Sequence, residues 1–227
     1  MNYIEPVFDV FYLAAVISMG IIMIAAGKNN LIVRLFGIMA VVLGGGDSFH
    51  LIPRIYALLT TGLEANAAAL GIGKLITSVT MTLFYLILYR IWEIRFDIKK
   101  AVGIRVFIGI FVIARIILNF MPQNMWTQFN APANWGIYRN IPFALLGILI
   151  VYLILKKAIE NNDSTFKKIG IAVIISFACY IPVVLWASSF GIIGILMIPK
   201  TIAYLWVVFI GFKEIRQKQL SCLIKAS

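Results

Sequence analysis

Apolar runs of membrane-crossing length recur along the whole chain, with only short polar stretches between them. An α-helix rises about 1.5 Å per residue, so about 20 mostly apolar residues cross the hydrocarbon core of a bilayer. Such runs lie at 8–27, 31–54, 68–90, 103–121, 140–157, 168–188 and 192–212. They predict an all-α integral membrane protein of about seven transmembrane helices, a single polytopic domain over residues 1–227. Composition agrees: 62% of residues are hydrophobic and 13% charged. A soluble domain carries about 25% charged residues, and disordered chains are poor in apolar ones, so both classes are excluded. The first run is preceded by Glu5 and Asp9, not by lysines, and no small-residue cleavage site follows it. It reads as a retained helix and not as a signal peptide.

The net charge of +11 would suit nucleic acid, but its placement does not. Fifteen of the 20 Lys and Arg residues fall in the first, third and fifth loops, the helix ends beside them, and the C-terminal tail with Lys213, Arg216, Lys218 and Lys225. The loops between carry almost none. Cytoplasmic loops hold the excess of Lys and Arg. The pattern therefore puts the N-terminus outside and the C-terminus in the cytoplasm of a plasma membrane, with the lipid bilayer as partner and no nucleic acid. Cys179 lies in a span and Cys222 in the tail, on different sides of the membrane, so no disulfide is expected. His50 is the one histidine. A zinc site takes three or four His, Cys or carboxylate ligands, so neither a metal nor another cofactor is expected.

A faint repeat runs through the spans. Phe36-Gly37-Ile38 and Ile52-Pro53 in span two echo Ile169-Gly170-Ile171 and Ile181-Pro182 in span six. Glu93-Ile94-Arg95 after span three echoes Glu214-Ile215-Arg216 after span seven. A 3+1+3 parallel repeat, of the kind found in transporters, would produce this pattern, as would chance likeness between apolar helices.

The five remaining bases are Arg54, Lys74, Arg115, Arg139 and Lys200. None belongs to a basic loop. At helical rise Lys200 lies about 20 Å from Lys213, Lys74 about 24 Å from Arg90 and Arg139 about 26 Å from Lys156, whereas Arg115 lies about 15 Å from Arg105. A charge at the centre of a lipid-exposed helix costs at least about 2.5–3.5 kcal/mol, so these groups are expected to face one another or a watery cavity open to the outside. Helical spacing supplies the faces. Asp47, His50 and Arg54 form one stripe of span two, and Lys74, Ser78 and Tyr85 one of span three. Arg115 and Asn119 pair on span four, and Arg139 and Asn140 open span five. Tyr180 and Trp186 flank Pro182 on span six, and Lys200 pairs with Tyr204 on span seven. Asp47 is the one carboxylate placed inside a span, and it can neutralise only one or two of these bases. Snorkelling toward the headgroups accounts equally for Arg54, Arg139 and Lys74. Gly44-Gly45-Gly46 before Asp47 permits close helix packing, a local break or the approach of a ligand.

Three functions fit these residues. A transporter or receptor would hold a small anionic solute or a lipid headgroup in a basic, outward-facing cavity built from the thirteen residues Asp47, His50, Arg54, Lys74, Ser78, Arg115, Asn119, Arg139, Asn140, Tyr180, Trp186, Lys200 and Tyr204. Trp126, Trp135, Tyr138 and Trp186 would stand at its mouth or in the membrane's aromatic belt. A lipid hydrolase or transferase would use Asp47 and His50, one turn apart, as an acid–base pair with Ser78 as nucleophile. The chain also resembles microbial rhodopsins in topology, in Lys200 midway along span seven, and in Tyr180, Pro182 and Trp186 on span six. That resemblance implies a retinal bound to Lys200. It fails at the acidic and aromatic motif of span three, where Lys74 and threonines stand, and one turn before the lysine, where Leu196 replaces an acid.

Overall fold

The computed structural model describes residues 3–187 and 189–226, with side chains described through residue 215. The side chains of Arg216, Lys218, Cys222 and Lys225 lie outside the described residues. The architecture is all helical: α1 (Ile4–Ala26), α2 (Leu31–Leu59), α3 (Ala67–Arg95), α4 (Val102–Phe120), α5 (Ala133–Glu160), α6 (Ser164–Trp186) and α7 (Met197–Ala226). All seven segments are long and apolar enough to cross a membrane, the last counted from the short 3₁₀ turn at Gly191–Leu196. No strand occurs among the described residues.

Local chemistry sets the helix ends. Asn30 caps α2 by accepting from the Val33 N–H, and Asp163 caps α6 by accepting from Thr165 and Phe166. Pro132, whose φ is already set, immediately precedes α5. The end of the bundle that carries the basic loops is laced by ion pairs. Arg95 of α3 reaches Asp163 at 2.9 Å and Glu214 of α7 at 3.7 Å, while Glu93 takes Arg90 at 2.9 Å and Arg105 at 2.7 Å.

Neighbours in sequence pack side by side, and α7 closes the ring against α1. Helix α2 also touches α7 and lies against both α1 and α3. The triple glycine explains how. A Cβ on Gly44 would fall 2.7 Å from Ile17 of α1, and one on Gly46 would fall 1.9 Å from Thr80 of α3, whereas Gly45 faces open space. Gly44 and Gly46 are thus a two-sided packing notch, the small-residue device of membrane helix pairs. The core runs through the bundle as Phe36, Met39, Leu43, Phe84, Leu88, Leu146, Ile150, Val173 and Val207. Outward-facing apolar side chains such as Ile110, Ile113, Ile117 and Phe120 of α4 meet the bilayer.

Two helix starts differ from the apolar runs. Helix α5 begins at Ala133, two turns before the run at 140, so Arg139 and Asn140 sit inside the helix and not at its opening. Its first turns are polar because they face a cavity, and apolarity does not register them. The residues before it fold back onto the bundle instead of trailing as a long loop. Pro122–Asn124 form a 3₁₀ turn, and Asn124 donates to the carbonyls of Leu118 and Met121 at 2.7 and 2.9 Å. These bonds satisfy carbonyls left open at the end of α4.

Candidate functional site

A cavity of about 490 Å³ opens in the half of the bundle remote from the basic loops. Helices α2 to α7 all contribute to its wall. Its floor is aromatic. Tyr85 lies edge-to-face with Phe143 at 5.3 Å, Phe143 meets Phe177 at the same distance, and the hydroxyls of Tyr85 and Tyr204 are 3.2 Å apart.

Arg115 of α4 is 2% exposed and rests on that floor, its guanidinium 3.8 Å from the Phe143 ring centroid. Its Nε donates to Thr82 Oγ1 of α3 at 3.0 Å, and Nη1 donates to Asn140 Oδ1 and the Arg139 carbonyl of α5 at 3.1 and 3.2 Å. Asn140 Oδ1 also accepts from Tyr180 of α6 at 2.9 Å. One guanidinium therefore ties α3, α4 and α5 together, with α6 attached through Asn140. Arg139 donates to Asn124 Oδ1 at 2.9 Å and stacks over Trp126 at 4.3 Å. Trp126 in turn donates to the Asn119 carbonyl at 2.9 Å, and its own carbonyl presses on Gly71, where a Cβ would fall 1.3 Å away. The loop between α4 and α5 is held as one wall of the cavity by these contacts.

Lys74 and Lys200 also line the cavity, and neither makes a hydrogen bond or ion pair with any described residue. The Lys200 ammonium lies 4.8 Å from the Tyr180 ring centroid and 5.5 Å from that of Tyr204. With Arg115 and Arg139 they make four cations around one space, and no described carboxylate lies within 4.0 Å of any of them. His50 completes the wall. Its Nδ1 donates to the Leu70 carbonyl at 3.2 Å, since a carbonyl can only accept, which leaves Nε2 as the second ring nitrogen.

Of the thirteen residues read from the sequence, the structure places His50, Lys74, Ser78, Arg115, Arg139, Asn140, Tyr180 and Lys200 on the cavity wall. Arg54 lines a side vestibule of about 140 Å³ that shares His50, Lys74 and Arg139 with the main cavity, and Arg54 is ion-paired with Glu5. Asn119 is fully buried behind the wall, and Tyr204 is buried beside Tyr85 and does not line the cavity. Trp186 stands outside, 50% exposed, where an indole suits the headgroup level. Of the aromatics assigned to the mouth, only Trp126 lines it. Trp135 and Tyr138 pair with each other at 5.7 Å.

Asp47 is also absent from the wall. It faces α1 and accepts from the Tyr12 hydroxyl at 2.7 Å. Neither His50 nor Ser78 is hydrogen-bonded to it, and among the described residues no Ser–His–Asp relay forms. Nor is Asp47 the one carboxylate within the helices. Asp9 of α1 is buried, and Glu5 begins the same stripe. Glu5, Asp9 and Tyr12 stand at i, i+4 and i+7, a spacing visible in the sequence that would have found this acidic face of α1. Thr82 stands close to the stripe of Lys74, Ser78 and Tyr85 in the sequence, whereas Asn124, the other partner missed, carries no pattern of its own and emerges only from the packing.

No family model matches this chain, and no match was found among curated proteins or solved structures.

Proposed function

We propose that this multi-pass membrane protein binds an anion in the basic cavity, as a transporter or receptor. The observation that carries the reading is the set of four cations, Lys74, Arg115, Arg139 and Lys200, around one cavity without a carboxylate among them. Holding cations within the span of a membrane is costly, and four around one space also repel one another. An anion offsets both costs. Arg115 is locked by acceptors on α3 and α5 and by a ring, and serves as the fixed charge. The two lysines make no hydrogen bond or ion pair with a described residue, and His50 presents Nε2 as a further polar group. The clustering of Lys and Arg in the opposite loops supports an opening on the outer face of a plasma membrane.

The test is thermal unfolding and native mass spectrometry of the purified protein with inorganic phosphate, sulfate and acetate. Stabilisation and a retained anion are expected for the wild type, and loss of both for the double variant Lys74→Gln, Lys200→Gln. If no anion is retained or raises the unfolding temperature, the reading is wrong. New products that vanish in His50→Ala would replace binding by catalysis. Uptake into proteoliposomes separates a transporter from a receptor.

A further inference from the structure

We infer that the anion is the head of a single-chain amphiphile whose tail leaves the cavity sideways, between α5 and α6, into the bilayer. This rests on the anion-binding reading and adds the chemical class of ligand.

A second, apolar groove of about 140 Å³ runs between these two helices. Its walls are Ile137, Ile141 and Ala144 from α5 and Phe177, Ile181 and Leu185 from α6. Ile141 and Ile181 are exposed on the face that meets lipid. The groove adjoins the basic cavity: Asn140, Phe143, Tyr180 and Val184 line both. The polar members of that shared set, Asn140 and Tyr180, are hydrogen-bonded to each other at 2.9 Å and form the sill between wet and greasy compartments. Each flanking helix carries an interior proline at this level, Pro142 and Pro182, which has no N–H to give to the helical ladder.

Adjacency to the cations is what sets this groove apart. A larger apolar furrow of about 440 Å³ lies between α1 and α7, lined by Phe11, Met19, Trp206 and Phe209, and it shares no residue with the cavity. Lipid fills such a furrow without any head to recognise. Between α5 and α6 the apolar surface begins where the cations end. A fully hydrated solute ion gains nothing from that surface. An anion carrying one alkyl or acyl chain satisfies the cations and the groove together, and a groove of this size takes one chain segment.

The experiment measures affinities of the purified protein in nanodiscs for n-alkyl carboxylates and n-alkyl phosphates of increasing chain length, from acetate and inorganic phosphate upward. Alkyltrimethylammonium ions of equal length serve as the opposite-charge control. For the anions, affinity is expected to rise about fourfold per added methylene until the groove is filled. Ala144→Phe fills the groove and should abolish that rise while leaving acetate and phosphate binding unchanged; Ile181→Trp serves if Ala144→Phe does not fold. Comparing the two anionic series tells a carboxylate head from a phosphate head. If acetate or phosphate binds but chain length adds nothing, the amphiphile is refuted and the anion reading stands. If the cationic series binds equally well, the chains adsorb without head recognition and the inference falls. If nothing binds, both readings fall.

Discussion

Arg115→Lys keeps the charge and removes the geometry. The native guanidinium spans from Thr82 Oγ1 on α3 to Asn140 Oδ1 and the Arg139 carbonyl on α5, at 3.0–3.2 Å, with the Phe143 ring 3.8 Å below. A lysine ammonium is a point donor and reaches one side of that span, so two of the three bonds are lost. In soluble proteins bonds to a charged group contribute about 1.5–3 kcal/mol each. Within membranes side-chain bonds average about 0.6 and reach about 1.7 kcal/mol, because the unfolded helices find other partners. The membrane figure governs here. Adding part of a cation–π contact of about 0.5–2 kcal/mol gives a loss of roughly 2–3 kcal/mol. For a chain of this size that lowers the unfolding temperature by roughly 4–12 °C, read by a thermal unfolding scan in detergent. A double-mutant cycle of Arg115→Lys with Thr82→Val should return a coupling of about 0.6–1.7 kcal/mol. An unfolding temperature within about 1 °C of wild type, or a cycle that closes at zero, would refute the bridging role of Arg115.

Three further outcomes are expected. Arg54 already has Glu5 as its partner, so Arg54→Gln should weaken anion binding less than about threefold, whereas Lys200→Gln should weaken it by about 10-fold or more, the worth of one charge-assisted hydrogen bond; equal effects in a titration with phosphate would contradict the division between paired and unpaired cations. Gly71→Ala places a methyl where the Trp126 carbonyl now sits, 1.3 Å from its oxygen, so the loop must move off α3 and the Trp126 fluorescence should shift, while Gly45→Ala, with open space around it, should leave the spectrum unchanged. Cysteines introduced at Gln128 and Asn162, in a Cys179→Ala, Cys222→Ala background, should be labelled by an impermeant thiol reagent from opposite sides of the membrane, Gln128 from outside; labelling of both from one side would overturn the topology read from the basic loops.

The spans were legible because apolarity over about 20 residues has few causes. The start of α5 was not, because Gly136, Arg139 and Asn140 are helical residues on a cavity wall, and hydropathy counts them as loop. Helical spacing reported which side chains share a face, but not what that face meets. Lys200 and Tyr204 do share one, yet Tyr204 lies a turn away, packed against Phe84 and the Tyr85 hydroxyl, and only Lys200 lines the cavity. Tyr180 and Trp186, six residues apart, are separated by about 600° of helical rotation, so the first meets Asn140 and the second meets solvent or headgroups.

The sharpest departure concerns Asp47, and it strengthens the case for a ligand. Read alone, one carboxylate among five bases within the spans is their natural counter-ion, and a structural network would need it at their centre. Instead the acid sits on the seam of α1 and α2 and takes the Tyr12 hydroxyl, with Asp9 and Glu5 on the same side of α1. Arg54, the base nearest that seam, is the one that finds a carboxylate, in Glu5. The four others lie around the cavity, out of ion-pair range of every described acid. Bases retained for structure alone would be placed where the acids are, since removing a partner from a buried pair costs about 3–5 kcal/mol. Asp47 does act on Lys200 electrostatically, from beyond ion-pair range, but no described acid pairs with any of the four, and that is the charge the proposed anion would meet.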